Sequence, residues 1–451
     1  MEGRYMKDKN IYKRALQIAW PSVLESFFIA LAAMIDTIMV SSLGSYAVAA
    51  VGLTNQPKFI AFAIFFSINT AVSALVARRK GQNDKRGANT VFSSAFVASI
   101  VLCILTTAFF LYFSSDIMRL AGSNKDTHEA AVKYFNIIIG GLIFNIIAMV
   151  INAGQRGSGN TKIAFTTNLT SSIVNVIFNY LLIGGNLGFP ALGIEGAAIA
   201  TVLGSAVAAT MSVFSLFHKF TFIDIKYIFR KKISPKFDAI KSIFNLSSSF
   251  FIENIAMRVG FLATAISAAN LGTDPFAAHN VGMSLLSIGF SFGDGMQVAA
   301  VALSGRALGM GEKEEAYNYG KVSQRIGLGI SIALSLILLI FGRAILGNFF
   351  KEEHIIEMGL LINRFIMLIL LLQISQIIYG GCLRAGGDVK FTLLVAIIAV
   401  TIIRTSVTLL FTMVFKLGLV GIWLGVLADQ FSRFVLLRHR FHKKKWLDIA
   451  I

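Results

Sequence analysis

Apolar residues dominate this chain in runs of about 20, the length that carries a helix across a bilayer. Twelve such runs can be placed, centred near residues 29, 63, 101, 143, 173, 204, 255, 290, 329, 369, 403 and 427. The polar breaks between them are short, apart from one at 218–238. In lipid, a segment must satisfy its own backbone hydrogen bonds. The pattern therefore predicts an all-α integral membrane protein with twelve transmembrane helices and no separate soluble domain. The first run is longer than a signal-peptide core and lacks an evident cleavage site, so it is expected to remain as a span.

The two halves echo each other at one steady offset along the chain. LGSYAVAAVG (Leu43–Gly52) answers LGTDPFAAHNVG (Leu271–Gly282), which sets Gly44 against Gly272. QRGSGNTK (Gln155–Lys162) answers LRAGGDVK (Leu383–Lys390), and the same offset sets Glu25 against Glu253. GIEGAAIA from Gly193 resembles GLVGIWLG from Gly418. Six spans per half is an even number, so both halves enter from the same side. The repeats are then parallel, related by an axis along the membrane normal. The expected organisation is an N-lobe over 1–217, a basic cytoplasmic linker over 218–238 and a C-lobe over 239–451 with a basic cytoplasmic tail. Two parallel six-helix repeats of this kind surround a central cavity, and rocking one against the other gives alternating access, the architecture of a transporter. Gly196, Ala200, Gly204 and Ala208 recur at four-residue spacing, which predicts close helix packing.

Composition agrees with a membrane setting: 56% of 451 residues are hydrophobic and 14% charged, with a mean hydropathy of +0.73. The net charge of +18 raises the question of nucleic acid, and the positions of the charges answer it. Lys13, Arg14, Arg78, Arg79, Lys80, Lys85, Arg86, the seven basic residues from Lys219 to Lys241 and the tail RHRFHKKK all fall on one side. The other side receives only Arg119, Lys125, Lys133, Arg343, Lys351 and Lys416. This asymmetry places both termini in the cytoplasm of a multi-pass cell-membrane protein. The tail and the 218–238 segment are expected to lie against anionic lipid headgroups. No nucleic-acid-binding motif accompanies the charge, so no such partner is expected. Cys103 and Cys382 belong to different spans, and the six histidines sit at span ends or in loops. Neither a disulfide nor a metal centre is expected, and no cofactor.

A few polar residues remain inside the spans. Asp36, in MIDTIMV, lies about six residues inside the outer end of span 1. A central Asp costs roughly 2.5–3.5 kcal/mol on insertion, and such acids mark ion pathways. Asn175 and Asn179 are four apart and share a helical face, with Thr201 on the next span. Their oxygens are hard ligands that can complete a sodium site or orient a protonated carboxyl. Glu25, Glu253, Arg258 and Asp294 form a second group of gating or accessory charges, in which Arg258 can neutralise Glu253 or Asp294. Asp429, Arg364 and Arg404 are further charges within spans. Lys58, beside Pro57, faces either the cavity or the outer interface. Position 264, equivalent to Asp36 in the second repeat, is Thr264, and span 10 has no acid, so coupling is expected in the N-lobe. Gln56, Asn69, Asn145, Gln297, Gln373, Gln376 and Tyr379 are the candidates for a substrate-cavity wall.

Taken in order, these motifs resemble the multidrug and toxic compound extrusion (MATE) exporters over nearly the whole chain. The resemblance is carried by P-x-x-x-E at Pro21–Glu25, DTIMVSSLG at Asp36–Gly44, RGSGNTK, NVIFNYLLIGG and GFPALGIEGAAIAT at Gly188–Thr201. In the second half it is carried by MQVAAVALSGRALG at Met296–Gly309 and CLRAGGD at Cys382–Asp388. It implies export of small organic, often cationic compounds in exchange for protons or sodium, with no metal beyond a coupling Na+. By the same resemblance Asp36, Asn175 and Thr201 match positions of the family's N-lobe cation site. Asn179 departs from it, because some members carry Asp there, and this shifts the expectation toward protons. The alternative is a lipid-linked oligosaccharide flippase of related fold, in which Arg258, Arg364 and Arg404 would cradle a pyrophosphate. An enzyme is not expected, because no nucleophile, base and metal gather at membrane depth. An ATP-driven pump is not expected either, because the sequence has no G-x-x-x-x-G-K-[ST] loop. A monomer in contact with membrane lipids is expected.

Overall fold

The computed structural model describes residues 2–449 except 42, 44, 122, 124, 126, 219, 220 and 351. Inside helices, the side chains at 2–10, 30, 33, 34, 37, 41, 45, 46, 48, 49, 259, 269 and 273 are not described, and the Gly44 half of the Gly44–Gly272 correspondence lies outside the described residues. The helices run α1 (Glu2–Ser41), α2 (Ser45–Gly81), α3 (Lys85–Tyr112), the short α4 (Ser114–Leu120), α5 (His128–Gly140), α6 (Leu142–Gly157), α7 (Thr161–Gly184) and α8 (Gly193–Ser215). They continue with α9 (Ile225–Arg230), α10 (Phe237–Ala269), α11 (Thr273–Gly309), α12 (Lys313–Gly347), α13 (Glu353–Ala385), α14 (Val389–Ala396), α15 (Thr405–Leu409) and α16 (Leu419–His442). A π-helical stretch, Ile397–Arg404, joins α14 to α15, and a second, Leu410–Val414, extends the same span. Every one of the twelve expected span centres falls in a helix, in order.

Among the described residues nine helices are long and apolar enough to cross a membrane, and α5 with α6, bent by 45°, makes a tenth. The remaining two spans are α1 and α7. In α7 the apolar run is diluted by Asn168, Asn175 and Asn179. The bend between α5 and α6 falls at Gly141, whose missing side chain leaves room for Val202 of α8. A Cβ there would collide with both methyls of that valine.

The chain divides into two compact units, Leu24–Ser247 and Met1–Val23 with Ser248–Ile451. The expected boundaries differ. Met1–Val23 clusters with the second half because Ile11, Ala15 and Ala19 pack into a core with Met296, Ala299, Ala300 and Leu303 of α11. Arg14 Nη1 donates to the Tyr319 hydroxyl (3.4 Å) and Arg325 Nη1 to that of Tyr12 (3.0 Å), which fixes this end of α1 onto α12.

In the first unit, Gly196 and Gly204 bring α8 against α7. A Cβ on Gly196 would lie 2.5 Å from the Leu182 carbonyl oxygen, and one on Gly204 2.8 Å from that of Ser171. Ala200 and Ala208 are buried on the same stripe. Close approach of this kind is what small residues allow between membrane helices. The 218–238 segment is tied to α3 of the same unit. Asn89 Nδ2 donates to the Phe222 carbonyl (3.1 Å), Asp224 N donates to Asn89 Oδ1 (3.0 Å), and Lys236 N donates to Ser94 Oγ (3.0 Å). It is a docked segment containing α9, and Lys226, Arg230, Lys231, Lys232 and Lys236 stay exposed on it.

In the second unit the tail is held by the protein's own acids. Arg440 Nε pairs with Asp388 (2.6 Å), Lys444 with Glu314 (2.6 Å) and Lys313 with Asp448 (2.6 Å). Trp446 is fully buried and stacks on Phe441. Only part of the basic tail, including Lys443 and Lys445, therefore remains exposed for lipid headgroups.

Candidate functional site

The close approach of α7 and α8 sets the site of the first unit. It brings Asn175 and Asn179, one turn apart on α7, beside Thr201 on α8. Asn175 Nδ2 donates to Thr201 Oγ1 (3.2 Å), and Thr201 Oγ1 donates to the Ala197 carbonyl (3.0 Å). Asn179 is fully buried, and its Nδ2 donates to Asp36 Oδ1 of α1 at 2.5 Å. Asp36 is half-buried, five residues before the end of α1, or about 8 Å along the axis. The other amide atom, Asn179 Oδ1, is buried and has no hydrogen-bond partner. An amide beside a carboxyl can serve either charge state. It donates from nitrogen to a carboxylate, and after a flip it accepts at oxygen from a protonated acid. The four residues Asp36, Asn175, Asn179 and Thr201 therefore form one constellation.

Two more side chains belong to it. Lys58 is half-buried on α2. Its Nζ lies 5.1 Å from the ring centroid of Tyr134 on α5, a cation–π distance. Tyr134 is 3% exposed, in the core that also holds Val40 of α1. Tyr134 was invisible to sequence reasoning, since one tyrosine in an apolar run carries no periodic signal. Lys58 was noticed without a direction.

Toward the other end of both repeats the structure forms matched ion pairs. In the first unit Glu25, 4% exposed, accepts from Arg156 Nη1 (2.7 Å) and from Asn168 Nδ2. In the second, Glu253, 6% exposed, accepts from Arg384 Nη2, and its other oxygen accepts from Thr392 Oγ1 (3.3 Å). Arg156 and Arg384 are repeat counterparts, as are Glu25 and Glu253. Glu253 takes Arg384 as its partner, and Arg384 also donates to Gln297 Oε1 (2.6 Å). Asp294 is exposed rather than buried. Removing one partner of such a pair strands the other. Arg156→Ala leaves the Glu25 carboxylate with Asn168 alone and is expected to cost about 2 kcal/mol, with Arg156→Lys milder. Denaturation of the purified protein in detergent reads this.

The remaining candidates are dispersed. Gln56 is exposed, Asn145 is half-buried, and Asn69 is buried with both amide atoms unpartnered. Gln373 is fully buried, and its Oε1 lies 2.6 Å from where a Cβ on Gly289 would stand, so that glycine makes room for it. Gln376 Nε2 donates to Gln430 Oε1 (3.5 Å). Tyr379 does not stand free on a wall. It is 5% exposed within an aromatic group with Phe434, Phe441 and His442, because the returning end of α16 covers it.

At the second-repeat counterpart of Asp36, Thr264 is 1% exposed and its Oγ1 accepts from Arg404 Nη2 (3.2 Å). Arg404, fully buried at the end of a π-helical stretch, also pairs with Asp429 (3.4 Å). Asp429 in turn pairs with Arg433 one turn on, at 2.7 and 3.0 Å. The i, i+4 spacing of Asp429 and Arg433 was a readable signal for this cluster that sequence reasoning missed.

The family model described as MatE matches residues 21–181 and again 250–410, once in each repeat. A Thermotoga maritima protein named probable multidrug resistance protein NorM is 26% identical, covering 98% of this chain and 94% of its own. The uncharacterized transporter YisQ of Bacillus subtilis is 25% identical, covering 96% and 94%. A solved structure described as the outward-facing conformation of a multidrug resistance MATE family transporter has the same fold, with a TM-score of 0.89 at 23% identity over 96% of this chain and 97% of that one. With its family model matched in both repeats and its relatives aligned end to end, this chain belongs to the MatE family of multi-pass membrane transporters.

Proposed function

We propose that the protein is a secondary active exporter, moving small organic and often cationic compounds out of the cell in exchange for a cation by alternating access. The substrate class rests on the relatives named as multidrug resistance proteins. The coupling reading rests on one observation, the Asp36 carboxyl held by the buried amide of Asn179 inside a helical unit. An intramembrane acid of this kind exchanges its countercharge when access changes from one side to the other. A cation arriving from outside neutralises Asp36, changes the hydrogen bonding of Asn179 and weakens substrate binding. The unit then returns inward and discharges the ion. A ligand drives such a cycle only through unequal affinity for the two states. The protein acts as a monomer in the cell membrane with both termini cytoplasmic.

The test is efflux of a cationic dye from vesicles holding the purified protein, with proton and sodium gradients imposed separately. Dye movement that follows one gradient and collapses with it is the expected result. Movement indifferent to both gradients defeats the reading, and translocation of a labelled lipid-linked sugar instead would favour the flippase.

A further inference from the structure

As its side chains stand, the first unit turns an N–H donor rather than an oxygen toward Asp36. Sodium, a hard cation, needs several oxygens turned toward one point. Here the group that meets Asp36 Oδ1 is the Asn179 amide nitrogen, a donor, at 2.5 Å. Thr201 Oγ1 is engaged on both sides, accepting from Asn175 Nδ2 and donating to the Ala197 carbonyl. From α2 the Lys58 ammonium sits over the Tyr134 ring, and Tyr134 packs in one core with Met39 and Val40, about one turn beyond Asp36 on α1. From α5 the facing titratable group is Tyr134, and α7 and α8 contribute the neutral Asn175, Asn179 and Thr201.

We propose that Lys58 sets the ion specificity of this site: its ammonium supplies from the chain the positive charge that sodium would bring to Asp36, and so excludes sodium. The Tyr134 ring, held in the core of the unit, gives the ammonium a defined seat 5.1 Å from its centroid. With Asp36 and Lys58 both ionised the pair carries no net charge. An added sodium ion would meet a tethered like charge and a donor-lined carboxylate in a medium that screens poorly. The ammonium repels a proton as well, but a proton bonds covalently to a single carboxylate oxygen and needs no coordination shell of further oxygens, so it remains the coupling ion.

In the second repeat a cation also meets the equivalent position, where no acid stands. At Thr264, the repeat counterpart of Asp36, the contacting charge is the fully buried Arg404 guanidinium, whose Nη2 donates to Thr264 Oγ1 at 3.2 Å. The repeat counterparts of Lys58 and Arg404 are Leu286 and Val176, so neither cation is an echo of the other. Each repeat has its own side-chain cation at the equivalent position.

This specificity role rests on the exporter reading, and its test is a binding measurement that does not require transport. The melting temperature of the purified protein is followed as sodium chloride replaces choline chloride at constant ionic strength. Wild type and Lys58→Arg are expected to be indifferent to sodium. Lys58→Met is expected to gain a sodium-dependent rise, which Asp36→Asn in the same background removes. A sodium-dependent rise in wild type that Asp36→Asn abolishes overturns the proposal, as does a folded Lys58→Met that ignores sodium. If Lys58→Met does not fold, Lys58→Gln takes its place, and the wild-type titration alone still decides whether sodium is excluded. A failure of the exporter reading would show separately, as dye efflux that follows no gradient.

Discussion

Asp36→Asn is expected to reduce gradient-driven dye efflux to the level of vesicles without protein, while the purified variant stays folded. The substitution preserves shape, and the new amide oxygen can still accept from Asn179 Nδ2 where Asp36 Oδ1 does now. The loss in stability should be about 1–3 kcal/mol, because the hydrogen bond is kept but the Lys58 ammonium loses its countercharge. What disappears is the countercharge exchange. A neutral amide takes up neither proton nor sodium, so the ion no longer binds the two access states unequally and cannot bias them. Binding of a substrate to the variant should also lose its dependence on external pH. Efflux in reconstituted vesicles, with melting temperature as the folding control, measures both sides of this expectation. Full gradient-driven export by a well-folded Asp36→Asn protein would remove the basis of the coupling scheme.

The largest effect on stability is expected from Asp429→Ala. Asp429 is fully buried and contacts both Arg404 and Arg433, at 3.4 Å and 2.7 Å. Its removal leaves two guanidiniums in the interior of the second unit without the acid that joins them. Breaking a buried pair in this way costs about 3–5 kcal/mol, since the stranded charge keeps its desolvation penalty and loses its compensation. The variant should give little folded protein and a sharply lowered melting temperature in detergent. Removing all three charges together, as Arg404→Met, Asp429→Leu and Arg433→Met, should recover most of that loss, because a well-packed apolar cluster replaces a buried ionic one at little or no cost. If Asp429→Ala alone melts with the wild type, the cluster contributes far less than its burial implies.

Much of the architecture was legible from one-dimensional pattern. Apolar runs of about 20 predict helices because lipid offers the backbone no partner but itself, and all twelve expected centres fall in helices. The repeat was readable because glycines recur at matching turns, as at Gly159 and Gly387 with φ of 81° and 87°, and the family model matches twice along the chain. Asn175, Asn179 and Thr201 could be grouped because four-residue spacing defines a helical face and small residues on α8 announce a close neighbour. Asp36 announced itself by the cost of a carboxylate at that depth.

Pairings between distant charges were not legible, for a physical reason. A span's sequence specifies which residues share its face. It does not specify the rotation and axial offset that decide which neighbouring side chain that face meets. Arg258, Arg364, Arg384 and Arg404 all carry the same charge, and nothing in their order along the chain selects Arg384 for Glu253, 131 residues away. The same holds for Lys58, which turned toward Asp36 and Tyr134, and for Tyr379, which the returning α16 buried. Met1–Val23 was assigned by order to the first lobe, yet its small apolar face fits the α11 surface of the second unit. Hydropathy and periodicity thus determined by themselves where the apolar spans lie, their order and the doubling of the chain. Only the tertiary structure decided which charges meet, because a contact between helices depends on two surfaces and each span's sequence describes one.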